Sequence, residues 1–292
     1  MQINDLKIFQ AVAEHSSFTK AAAVTNTVQS NVTARIKYLE EYFDTRLFER
    51  TSRKIELTDA GSHLLKVAKE IRLLLENTKA VLGGNNTVAD LIKIGCVHTT
   101  AALRAPGILK NFSDKYPQVE FRLKTGTSAD LVKEVLSYKL DGAFVAGKVN
   151  NRELIVQPVL VEELGIITSS LITSVDQLKK TVKPLKLVVF NDGCSYRKHF
   201  EALLGKWQIS RFAVAEMDTL EGIINTVEAG IGVTLLPVAL IEKHYRYRNL
   251  HTFHLPKNFA RVQTVFVRRK DLPVNKGYQL FFEMIGKGYI GG

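Results

Sequence analysis

The sequence predicts an α/β protein with an N-terminal all-α winged helix-turn-helix, a long linker helix and a larger C-terminal α/β domain. Three observations predict it. The first sixty residues hold short helix-periodic runs that end in a strand, a basic turn and a strand. Residues 58–82 keep an apolar seam over about seven turns. From residue 91 onward, strand-like and helix-like runs alternate.

Composition sets the outer limits. The 292 residues suffice for one small and one larger domain, and 46% apolar with 24% charged residues is the balance of a soluble globular chain. No apolar run approaches the ~20 residues of a membrane span. The start, Met1 to Gln10, lacks a basic segment followed by a long apolar one, so the expectation is a cytoplasmic protein without membrane partners. Two cysteines, Cys96 and Cys194, are too few for a disulfide framework or a zinc cluster. Net charge is +11, but its distribution is uneven. Residues 1–90 hold 12 Lys and Arg against 11 Asp and Glu, a net of +1; the remaining 202 hold 28 against 18, a net of +10. Global charge raises non-specific affinity for polyanions without marking a site.

In the opening stretch Ile3, Leu6, Phe9, Val12 and Ala13 recur in steps of three and four, which defines a helix face. His15, Ser16 and Ser17 break it. A short helix follows, Phe18 to Val24, whose alanines let another helix approach closely. Thr25-Asn26-Thr27 reads as a turn. A longer helix then runs from about Gln29 to Phe43, with Val32, Ile36, Leu39 and Phe43 on one side and short polar side chains on the other. Gln29 and Asn31 suit adenine edges and Arg35 suits guanine, while Ser30 and Thr33 suit phosphates or bases. The first two turns of such a helix usually meet the bases. A solvated polar face would have the same composition. Leu47 to Arg50, Thr51 to Lys54 and Ile55 to Thr58 complete a hairpin wing, in which Arg50, Arg53 and Lys54 face phosphates.

Ser17-Phe18-Thr19-x-Ala21-Ala22, Gln29, Leu39-Glu40-Glu41, Leu47-Phe48-x-Arg50 and Leu57-Thr58-x-Ala60-Gly61 together resemble the LysR-type transcriptional regulators. That resemblance implies a winged helix-turn-helix with its second helix in the major groove of promoter DNA, read by Phe18, Thr19, Thr27, Gln29, Ser30, Asn31, Thr33, Arg35, Lys37, Arg50, Arg53 and Lys54. Four positions depart from the family pattern: Thr25 stands for Leu, Val28 for a small capping hydroxyl, Ser30 for Pro and Asp44 for Gly. Thr27 is expected to supply the helix cap one residue early.

Thr58 is the expected N-cap of the linker helix, whose seam is Leu64, Ala68, Ile71, Leu75, Thr78 and Leu82. Leu65, Val67, Leu73 and Leu74 widen it. The helix could pack on its own C-terminal domain; the resemblance implies instead a dimer through residues 58–82, extended to a tetramer, with RNA polymerase as a further candidate partner. Gly83-Gly84-Asn85-Asn86 ends it. The domains expected are 1–58, a linker and hinge over 59–86, and an effector domain over 87–292.

In the last domain, strands are expected at Leu91–Val97, Val119–Leu123, Ala143–Ala146, Leu187–Phe190, Val214–Glu216, Val233–Leu236 and Val262–Val267, in largely parallel sheets. Helices are expected through Leu103, Ile108, Leu109 and Phe112, over Ser128–Tyr138, and over Lys276–Ile285. The resemblance, carried here by Tyr116-Pro117, Asp141-Gly142-Ala143 and the run Gly230 to Pro237, implies two subdomains like those of periplasmic binding proteins. These would be 87–161 with 265–292, and 162–264, with a small-molecule effector between them.

Three strand-to-helix turns offer hydroxyls or glycine at helix starts, where N–H groups favour an anion. They single out His98, Thr99, Thr100, Thr127, Ser128, Cys194 and Ser195 as the effector site; each hydroxyl also suits a simple helix cap. Cys194 beside Arg197 and Lys198 invites a lowered thiol pKa and a redox-sensing alternative, with Cys96 as resolving partner. The clusters 243–248 and 268–270 are expected as solvated surface or as a second hold on bent DNA. No Ser/His/Asp order, phosphate loop, HExxH or GxGxxG marks an enzyme, and no cofactor or metal is expected. An enzyme fused to a DNA-binding module and a transport solute-binder are the remaining alternatives.

Overall fold

A computed structural model describes the chain except residues 51–54, 83–90, 173, 175–176, 178–184, 210, 273–275 and 288–292. The chain divides into two compact units, Met1–Val88 and, for the greater part, Ala89–Gly292.

The first unit opens with α1 (Ile3–His15), started by a reciprocal cap in which the Gln2 N–H donates to Asp5 Oδ2 at 2.7 Å. Ser17 caps α2 (Phe18–Val24) by accepting from the Lys20 N–H at 3.2 Å. Helix α3 (Gln29–Tyr42) follows after a turn. Strands β1 (Phe48–Arg50) and β2 (Ile55–Leu57) pair antiparallel. Glu40, from the Leu-Glu-Glu motif, accepts from the N–H groups of Leu47 and Phe48 at 2.9 and 3.3 Å and so ties the hairpin to α3. Thr58 caps α4 (Asp59–Leu82), accepting from the Gly61 N–H at 2.9 Å. The core is one cluster: Leu6, Phe9, Val12, Phe18, Ala21, Val32, Ile36, Leu39, Leu47 and Phe48, closed by Leu64, Leu65 and Ala68.

Three expectations change here. The front half of the linker seam is not free, because Leu64 and Ala68 are core residues of this unit. Leu75, at 37% exposure, and Thr78 stay outside. Phe43 does not join Val32, Ile36 and Leu39; it follows α3 at 40% exposure, edge-on to Tyr42. Thr27 does not cap α3, whose N-cap position is Val28 without a side-chain bond. Its hydroxyl instead accepts from Asn31 Nδ2 at 2.8 Å.

The second unit is built on a mixed sheet in the order β10-β6-β11-β5-β3-β4, with β9 also on β6. Its strands are β3 (Leu91–Val97), β4 (Glu120–Gly126), β5 (Gly142–Ala146), β6 (Leu154–Ser169), β9 (Thr234–Pro237), β10 (Leu250–His254) and β11 (Arg261–Arg269). A parallel pair, β7 (Leu185–Phe190) and β8 (Phe212–Met217), joins β9 through a bridge from Leu187 to Val233. Strand β6 changes partners partway: Leu154 to Glu163 pair with β11, and Leu164 to Ser169 with β9 and β10.

The expectation of largely parallel sheets is therefore corrected. β3 runs parallel to β4 and β5, but every pairing of β6 and β11 is antiparallel. The single helix expected after β3 is also two, α5 (His98–Leu103) and α6 (Ala105–Ser113). Pro106 lacks the N–H that would continue the first helix, and it sits in the first turn of the second. The remaining helices are α7 (Ser128–Leu136), α8 (Ser195–Lys206), α9 (Leu220–Glu228), α10 (Val238–Leu240, running into a π-helical turn over Ile241–Tyr245), α11 (Lys257–Ala260) and α12 (Lys276–Gly286).

Candidate DNA-reading face and effector cleft

In the first unit, the buried stripe Val32, Ile36 and Leu39 fixes which side of α3 faces out. Gln29, Ser30, Thr33 and Lys37 are exposed, and Asn31 is half-buried. Thr19, on α2, donates its hydroxyl to Gln29 Oε1 at 3.0 Å. A carbonyl oxygen has a second lone pair, so Gln29 keeps an acceptor and its two N–H donors while its orientation is held. That is the donor-acceptor pair an adenine edge requires. Thr33 donates back to the Gln29 carbonyl at 3.0 Å, and Lys37 lies 3.6 Å from Glu41.

Two members of the expected set face elsewhere. Phe18 is buried, edge-on to Phe48 at 6.3 Å, because α2 needs an apolar anchor against the hairpin. Arg35 turns toward buried Asp5, 3.5 Å from Oδ1, an oxygen with no hydrogen bond of its own. The Arg50 side chain, Arg53 and Lys54 lie outside the described residues.

In the second unit, the ends of β3, β4 and β7 and the starts of α5, α7 and α8 meet around a cleft of about 280 Å³ open to solvent. Val97, His98, Thr99, Gly126, Thr127, Ser128, Ala146, Phe190, Cys194, Ser195 and Tyr196 line it. The three turns chosen from sequence thus come together at one place. Thr100 does not; it is buried just behind the wall, its hydroxyl without a partner. Sequence reasoning passed over Val97, Ala146 and Phe190, and left Gly126 and Tyr196, which lie in two of the chosen turns, out of the site. Their signal was position: each ends a strand or begins a helix in or beside a chosen turn.

The hydroxyls hold the cleft together. Ser195 Oγ donates to the Ala146 carbonyl at 2.5 Å, and Ser128 Oγ accepts from the Ala146 N–H at 3.1 Å. Thr127 caps α7, accepting from the Asp130 N–H at 3.3 Å. Thr99 donates to the Tyr196 hydroxyl at 3.3 Å. Gly193 has φ +92°, and a Cβ there would meet Thr127 Oγ1 at 2.8 Å, so the turn before α8 requires glycine.

His98 stacks on Phe190, ring centroids 4.5 Å apart and planes within 10°. Burial holds its pKa below the usual value, against the opposing pull of Asp218. The cleft is therefore lined by neutral groups near pH 7, and the first-turn N–H groups of α7 and α8 supply its positive potential.

Cys194 is corrected. Burial pushes its thiol pKa up, outweighing the N–H groups of Arg197 and Tyr196 and the charge of Arg197. The Arg197 guanidinium is already engaged, 3.0 Å from Glu201 and 2.6 Å from Glu216. Cys96 is buried with its pKa pushed up to about 12. Neither thiol has the lowered pKa that the neighbouring cations led one to expect. The basic clusters are corrected in part as well. Arg248 pairs with Glu228 at 2.6 Å, and Arg269, 8% exposed, pairs with Glu153 and Asp271 at 2.8 and 2.7 Å. Among the described residues, no group of His, Cys, Asp and Glu could hold a metal, and no helix is long and apolar enough to cross a membrane.

The family model for the bacterial regulatory helix-turn-helix protein, LysR family, matches residues 3–62, and the model for the LysR substrate binding domain matches 85–289. The HTH-type transcriptional regulator YofA of Bacillus subtilis is 36% identical over 287 residues, covering 98% of this chain and 99% of that protein. The HTH-type transcriptional regulator SoxR of an Arthrobacter species is 37% identical over 285 residues, covering 98% and 96%. Among solved structures, ArgP from Mycobacterium tuberculosis has a TM-score of 0.74 at 18% identity, covering 98% of this chain and 96% of that one. Full-length CbnR complexed with its target DNA has a TM-score of 0.62 at 18% identity, covering 99% and 100%. These relatives are regulators of transcription rather than enzymes. With residues 3–62 and 85–289 matched by the two models and both relatives aligned over 98% of its length, the chain belongs to the LysR family of DNA-binding transcriptional regulators.

Proposed function

We propose that the outward face of α3 reads operator bases through Gln29, Ser30, Asn31 and Thr33, and that a small anionic effector in the cleft of the second unit modulates this binding. The observation that carries the effector reading is the convergence of three strand-to-helix turns on one cleft lined by His98, Thr99, Thr127, Ser128, Cys194 and Ser195. Two of those turns open helices of 9 and 12 residues, whose N-terminal dipoles favour an anion.

In this reading residues 1–58 bind DNA and 59–86 link. The second unit divides into 87–161 with 265–292, and 162–264, a division supported by the change of partners along β6. Self-association runs through the half of α4 beyond Ile71, giving dimers matched to two half-sites and tetramers from pairs of dimers. The protein works in the cytoplasm, where the effector shifts the population of DNA-bound arrangements and the result reaches RNA polymerase.

Isothermal titration of small mono- and dicarboxylates into the full chain and a Ser195→Leu variant tests the effector site. The expected result is at least one carboxylate that binds the wild type and not the variant, while ligand-free DNA binding is retained. Equal affinity in both proteins overturns the assignment.

A further inference from the structure

The charge of this chain sits where the DNA-reading unit is not. Residues 1–90 are nearly neutral, at +1, and the rest carries +10. Counter-ion release from phosphates contributes much of protein–DNA affinity and scales with the number of Lys and Arg contacts, so basic side chains outside the reading unit add to it wherever they meet the duplex. The clusters that stand out in sequence are partly neutralised, since Arg248 and Arg269 are held in ion pairs. The remaining positive charge collects elsewhere.

Helix α8 buries Tyr196, Phe200, Leu203 and Leu204. Its opposite face carries Lys198, Ala202 and Lys206, at spacing i, i+4 and i+8, all exposed. Gly205 lies beside them, and a Cβ there would meet nothing within 4 Å, so this face is smooth and open. Helix α11 is fastened alongside. His199 Nε2 lies 2.5 Å from the Phe259 carbonyl, and Lys206 Nζ sits 4.4 Å from the centre of the Phe259 ring. Lys257, exposed, opens α11 two residues before Phe259. Among the described residues, Lys198, Lys206 and Lys257 pair with no carboxylate. Glu201, the one acid on α8, is 3.0 Å from Arg197.

We propose that this α8–α11 face is a second DNA-binding surface, one that holds the phosphate backbone of duplex DNA without reading its sequence. Lys198 and Lys206 are about 12 Å apart along the helix at ~1.5 Å per residue, and duplex DNA carries one charge per ~1.7 Å. The stripe therefore lies against about seven phosphate charges. Ala202 and Gly205 let the helix come close to them. DNA is the partner because the first unit binds it and tethers the face in the same chain, which places phosphates near it at an effective concentration far above that of free polyanions.

The test uses the full chain, a duplex several helical turns long containing the operator, and fluorescence anisotropy at a series of salt concentrations. The triple variant Lys198→Gln, Lys206→Gln, Lys257→Gln should bind more weakly, and its plot of log affinity against log salt should be shallower by about one unit for each phosphate that is no longer neutralised. Ala202→Glu, an exposed and helix-compatible change, should weaken binding in the same direction. A control that removes Lys133, Lys243 and Lys270, three exposed lysines on other elements, should leave the slope near wild type. An unchanged slope in the triple variant, or an equal fall in the control, overturns the proposal.

Discussion

Replacing Gly61 by Ala sets two physical effects against each other. Helix propensity alone favours the change by about 1 kcal/mol, because Ala restricts the unfolded chain and Gly does not. The structure opposes it. A Cβ at Gly61 would lie 2.0 Å from the Leu47 carbonyl oxygen and 2.9 Å from Leu57 Cδ2. Relieving that clash to ordinary separation needs a shift of about 1.4 Å. The same carbonyl accepts from the Thr58 N–H at 3.1 Å, and the Thr58 hydroxyl caps the Gly61 N–H at 2.9 Å. Losing a backbone hydrogen bond and a cap costs about 1 kcal/mol each, and overpacking costs about 1–3 kcal/mol. Set against the propensity gain, the net is about 3 kcal/mol of destabilisation, or some 10–20 °C in the melting temperature of a unit this size. Differential scanning calorimetry, with DNA binding followed in parallel, measures it: the transition that reports on the first unit should fall and binding should be lost at a lower temperature. An unchanged or raised transition would refute the steric reasoning and leave propensity as the governing effect.

Other perturbations address the remaining elements. Asp44 has φ +48°, in the region where the family carries glycine, so Asp44→Gly should stabilise the first unit by about 1 kcal/mol, read as a higher melting temperature. A fall would mean that the Asp44 side chain has a role the backbone does not show. His98 is held neutral by burial, so the unfolded chain binds the proton more readily than the folded one. Stability from this group is present above the ordinary histidine pKa of about 6.5 and declines as pH falls below it. The decline measured by urea melts should flatten in His98→Gln, and an unchanged pH profile would contradict it. Leu75→Glu should weaken self-association at least thirtyfold: Leu75 is 37% exposed, worth about 1 kcal/mol per copy, and both copies change. Sedimentation equilibrium checks this, and an unaltered dimer would move the interface off α4.

The start of the chain was legible because its signals are local. Ser17 and Thr58 announce helices through their own hydrogen bonds, and the burial of Val32, Ile36 and Leu39 follows from spacing. Strand β6 was not legible, and Pro158 is the reason. Proline within an apolar run argues against a strand, since it cannot donate to the ladder. Here it sits at a bulge, where Thr264 opposes Leu160 and Val265 opposes Pro158, so the missing donor is tolerated. The burial of β6 also follows no period, because half-buried residues give way to fully buried ones where the strand changes partners. Glycines and hydroxyls at strand ends pointed to the cleft. The stacking of His98 on Phe190 and the thiol pKa of Cys194 depended on tertiary burial, which spacing does not encode.

Footprinting purified protein on the DNA flanking its own gene, with competitor DNA and at two salt concentrations, tests the account most directly. The wild type should protect a pseudo-palindrome that survives competitor. Gln29→Ala should lose that protection while keeping diffuse, salt-sensitive binding, because the proposed role of Gln29 is at base edges and the substitution leaves the phosphate contacts in place. A Gln29→Ala footprint identical to wild type, or a wild type that gives only diffuse binding, would contradict the claim that the outward face of α3 reads the operator.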